Sequence, residues 1–132
     1  MRKATRMVMI DGYRKGWALR YLREAKAEMA AAQKMPAMAP NLILEAMRKA
    51  QVAIYYTLGE PAFIETIVAQ TAGKKQAIND PILRCLVEIE RTIQELSQAE
   101  EVEIAKAIQH GDDMVKMASE IIELFTDEKQ DN

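Results

Sequence analysis

The stretch Ile104-Ala105-Lys106-Ala107-Ile108-Gln109-His110-Gly111-Asp112-Asp113-Met114-Val115-Lys116-Met117-Ala118-Ser119-Glu120-Ile121-Ile122-Glu123-Leu124-Phe125 decides the fold. Ile104, Ile108, Gly111, Val115, Ala118, Ile122 and Phe125 recur at the three- and four-residue spacing of one helix face, so the segment reads as a long amphipathic helix. Gly111 falls on the apolar stripe, where it lacks a side chain to bury. A glycine there costs about 1 kcal/mol against alanine, which predicts close backbone contact with a neighbouring helix.

Working back along the chain, the same periodicity returns with clear punctuation. Asp80-Pro81 is an N-cap followed by proline at the first helical position, and Ile82, Leu86, Ile89, Ile93 and Leu96 mark the stripe behind it. Ser97-Gln98-Ala99-Glu100 has the S-x-x-E form of a capping box, so the last helix is expected to begin there; one continuous kinked helix is the alternative. Pro61 opens a short helix carrying Phe63, Ile64, Ile67 and Val68, which ends near Gly73 before the polar Lys74-Lys75-Gln76. Asn41 is expected to cap a helix running to Leu58, with Ile43, Met47, Ala50, Ile54 and Leu58 inward and Gly59 as its stop. Pro36 and Pro40 interrupt the chain before it. From Tyr13 to about Gln33, Ala18, Leu22, Ala25, Met29 and Ala32 form one stripe, flanked by Trp17 and Tyr21.

Residues 1–10 read either as a flexible arm or as the start of this first helix, since Asp11-Gly12 is a turn signal, and residues 127–132 as a frayed tail. The expectation is therefore one domain over residues 1–132, all-α, a compact up-and-down bundle of about five helices with one short helix in the middle. Composition agrees: 49% of residues are apolar, 29% charged, and only five are glycine and four proline. No fixed-period repeat supports a solenoid.

Net charge is −2, yet residues 1–50 carry eleven Lys or Arg against four acids and residues 51–132 carry seven against sixteen. Two opposite fields share one chain, an arrangement suited to internal docking, self-association or an anionic partner. Cys85 is the single cysteine, which excludes an internal disulfide, a cysteine metal cluster and a CxxC redox pair. The apolar run Met7-Val8-Met9-Ile10 is too short for a signal core or a membrane span, so the expected location is the cytoplasm, with no membrane partner.

Chemistry is thinly represented. His110 is the sole histidine, and Ala107 stands where a di-iron Glu-x-x-His pair would need glutamate, so no metal or cofactor is expected. Cys85 reads as a small buried hydrophobe, and no phosphate-cradling glycine motif or nucleophile elbow is present. No catalytic residue is assigned. Arg14, Lys15, Arg20, Arg23 and Lys26 share the first helix with Trp17 and Tyr21, the combination that contacts nucleic acid or another anionic partner. Tyr55 and Tyr56 point about 100° apart on the second helix, so one ring is expected at a surface or groove and joins Trp17 and Tyr21 as an interface candidate.

Tyr21-Leu22-Arg23-Glu24-Ala25, the run from Ala46 to Gly59, and Ile104-Ala105-Lys106-Ala107-Ile108 resemble HEPN domains, as does the layout of two long antiparallel helices, a short one and two more. That resemblance implies a groove between helices and frequent dimers. The HEPN ribonucleases carry Arg-x(4–6)-His, whereas Lys106 and Glu103 precede His110 here and Arg91 is too distant. The resemblance thus implies the non-catalytic type. Together these readings favour a non-enzymatic helical assembly protein acting through homodimerisation or a protein partner, with an RNA- or DNA-binding regulator using the first helix as the alternative.

Overall fold

A computed structural model describes residues 12–126, and these hold five α-helices and no strand. We label them α1 (Gly12–Lys34), α2 (Ala39–Leu58), α3 (Pro61–Ala72), α4 (Pro81–Gln98) and α5 (Ile104–Thr126), with a 3-10 turn at Pro36–Met38. The expected arm at residues 1–10 and tail at residues 127–132 lie outside the described residues. All five helices feed one apolar core, giving a compact all-α bundle.

Helix α1 buries the five stripe residues read from sequence, Ala18, Leu22, Ala25, Met29 and Ala32. Lys34 in its last turn complements the helix dipole before Pro36 ends it. Helix α2 starts at Ala39, not after a capping Asn41. Pro40 sits in the first turn, where its missing N–H leaves no bond unmade, so the helix begins three residues earlier with Met38 at its cap and no side-chain cap bond. At the other end Gly59 donates its N–H to Tyr55 O at 3.0 Å and leaves in extended backbone.

The Asp80 cap stands as read: its Oδ1 accepts from the N–H groups of Ile82 (2.8 Å) and Leu83 (3.1 Å). The Ser97 cap does not. Ser97 Oγ donates back to Gln94 O at 2.9 Å inside α4, the chain turns extended at Ala99, and α5 starts only at Ile104. The fourth and fifth helices are therefore separate, and Glu100 lies between them.

Helix α2 is the hub, packed against α1, α3, α4 and α5, while α1 also meets α5. Ile43, Met47, Ile54, Val68, Val87, Ile93 and Ile122 are its largest fully buried neighbours or members, each contributing about 1.5–3 kcal/mol of burial. Small residues let the helices close up. A Cβ on Gly111 would lie 2.6 Å from Met29 Sδ and 3.3 Å from Ile43 Cγ2, so the bare position makes room for neighbouring side chains and not for the close backbone contact expected from sequence. Helix α3 is the loosest element: Val68 alone is buried, and Phe63 is 64% exposed. Ile82 is likewise half-exposed, since α4 packs on the core from Leu83 and its buried residues begin only at Leu86.

Candidate functional site

The buried stripe of α1 fixes what the rest of that helix presents. At about 100° per residue, Tyr13, Arg14, Arg20 and Tyr21 fall within about 60° of Trp17, whereas Lys15, Arg23 and Lys26 fall about 120–180° away. The five cations grouped by sequence proximity are therefore divided between two flanks. Only the Trp17 flank carries rings.

On that flank α2 supplies Tyr56. Its ring stacks on Trp17 (centroids 6.2 Å apart, planes at 18°) and on Tyr21 (5.9 Å, 20°). Trp17 and Tyr21 also meet at 5.9 Å, Tyr13 stands edge-on to Trp17 at 6.4 Å, and the Arg20 guanidinium lies 5.1 Å from the Trp17 ring centre. Four of the seven aromatic residues thus gather outside the core, with Tyr13 71% exposed and Trp17, Tyr21 and Tyr56 half-buried. Tyr55 does not join them. It is buried on the other side of α2, where burial raises its hydroxyl above the usual value, reinforced by Glu90, and where Gln51 Nε2 donates to Glu90 Oε1 at 2.7 Å.

Seven residues before Tyr56, two helical turns back on the same face, stands Lys49. It contacts Glu28 (2.8 Å) and Glu24 (3.1 Å) of α1, and Glu45 of α2 at 3.9 Å, while Arg20 reaches Glu24 at 3.2 Å. Glu28 above all lifts the Lys49 ammonium to about 12. Lys49, then Arg20, holds the Glu24 carboxyl below its ordinary value. Glu28 moves the other way, because burial and then its contact with Glu45 outweigh the lysine. This ionic group escaped the sequence reading, although Arg20 and Glu24 stand at the i,i+4 spacing that signals a helical pair.

The ion pairs of Arg20 and Lys49 lie within α1 and α2. Elsewhere His110 is exposed and lines two shallow clefts between α4 and α5, one shared with Cys85, Glu88, Asp113 and Met117, the other with Thr92, Glu95 and Leu96. Among the described residues no three His, Cys, Asp or Glu side chains are placed to hold a metal ion, and no helix is long and apolar enough to cross a membrane. The chain matches no family model, and no characterised protein or solved structure aligns with it.

Proposed function

We propose that this chain is a non-enzymatic assembly module that works by pairing with a second copy of itself through the outer flank of α1. The observation that carries this reading is the aromatic cluster of Tyr13, Trp17, Tyr21 and Tyr56, held at the surface under Arg20 and not in the core. Trp, Tyr and Arg are the residues that dominate binding energy at protein interfaces.

The flank is self-complementary. Its first half is bulky and cationic, with Tyr13, Trp17 and Arg20; its second half is small and acidic, with Glu24, Ala27 and Ala31. A two-fold contact with the α1 helices antiparallel sets rings on alanines and Arg20 against the copy's Glu24. The HEPN resemblance, with its frequent dimers, points the same way. A nucleic-acid surface is less well served: Lys15, Arg23 and Lys26 face away from the rings, and Tyr56 already has stacking partners in Trp17 and Tyr21.

Trp17 is the only tryptophan, so its fluorescence reports directly on this flank. Light scattering is expected to show a dimer whose dissociation on dilution shifts Trp17 emission, and Trp17→Ala with Glu24→Arg is expected to give monomers. A wild-type chain that stays monomeric to high micromolar concentration, at low and high salt alike, would remove the proposal. Retained dimerisation in the double variant would place the interface elsewhere.

A further inference from the structure

The cleft between α4 and α5, about 160 Å³ in volume, is lined by three sulfur-bearing side chains. Cys85 from α4 and Met114 and Met117 from α5 line it, with the His110 imidazole. His110, Met114 and Met117 are spaced four and three residues apart, which puts them on one face of α5. Cys85 Sγ donates to Met117 Sδ at 3.1 Å, both residues being half-buried, and Met114 is 5% exposed behind them.

From this juxtaposition we propose a binding site for a soft monovalent metal ion, Cu(I) or its redox-inert analogue Ag(I), held by the sulfurs of Cys85, Met117 and Met114 with His110 at the opening. Thiolate and thioether donors select such ions over the harder divalent metals. No three His, Cys, Asp or Glu side chains converge among the described residues, so the donors of this site are one thiol, two thioethers and one imidazole. The two contacting sulfurs need only spread modestly to admit an ion at the roughly 2.3 Å of a metal–sulfur bond, and methionine's unbranched chain makes that movement cheap. Binding changes no oxidation state: the metal replaces the Cys85 thiol proton, which passes to solvent.

The test titrates Ag(I) into the full chain, read by native mass spectrometry and by the methionine methyl resonances. One equivalent is expected to bind, shifting the Met117 and Met114 methyl groups and leaving those of the exposed Met35 and Met38 in place. Met117→Leu, nearly equal in volume, is expected to weaken binding at least about tenfold. Unchanged affinity in Met117→Leu means adventitious capture by the thiol alone and overturns the site. Unmoved Met114 and Met117 resonances in the wild-type chain overturn it independently of how any variant folds.

Discussion

The seam between α1 and α2 has two halves built on the same helix flanks, one of stacked rings and one of charges. Trp17, Tyr21 and Tyr56 occupy the end near the α1 N-terminus, and Glu24, Glu28, Glu45 and Lys49 the middle. The rings make their contacts and still show surface to water, the area that the proposed dimer would cover. The charges leave less to offer. Lys49 is 27% and Glu28 15% exposed, and each group's state is set by the others. Lys49 and Glu28 hold two helices in register, whereas the rings and the 39% exposed Glu24 are the groups that the proposed dimer would use.

That contrast breaks most visibly at Lys49. Replacing it by methionine leaves three carboxylates facing one another, and we expect a loss of about 2 kcal/mol in urea unfolding at pH 7, reduced from the buried-pair range because the site is partly wet. The loss should shrink as acid protonates the carboxylates. In the wild-type chain the lysine's contribution is complete below its ordinary 10.5 and fades as pH rises through about 12. Trp17→Ala is expected to cost less stability, about 1–2 kcal/mol, because its ring is only half-buried, while abolishing association. A larger stability cost than that of Lys49→Met would invert the comparison.

The smallest effect has the opposite sign. Glu28 is raised in the folded chain, so its ionisation opposes folding above that raised value and not below the ordinary 4.5. Glu28→Gln should therefore stabilise at pH 7 by less than about 1 kcal/mol, with the gain fading as pH falls toward 4.5; thermal melts across that range decide it. Glu24, four residues earlier, contributes stability above 4.5 that is lost as pH falls through its lowered value. A Glu24→Gln melt series should slope the other way.

Helix number and the inward stripes of α1 and α2 were legible because apolar period and proline punctuation are local signals. Caps were legible only where the side chain had one use. Asp80 does cap, whereas Ser97 had a carbonyl of its own helix within reach and took it. The aromatic cluster was half legible. Trp17, Tyr21 and Tyr56 were marked, but proximity in sequence grouped Arg23 and Lys26 with them although the helix turns those side chains away. Lys49 went unread because its partners are 21 and 25 residues distant, and only packing of α1 on α2 joins them.

The bare Gly111 has a consequence for how this chain can drift. Met29 fills the room that a side chain at 111 would take, so the two positions trade volume across sequence space. A descendant that gains alanine at 111 must shorten its residue at 29 or turn the flexible end of that methionine aside. Substitutions at these two sites, 82 residues apart, should be inherited as a pair.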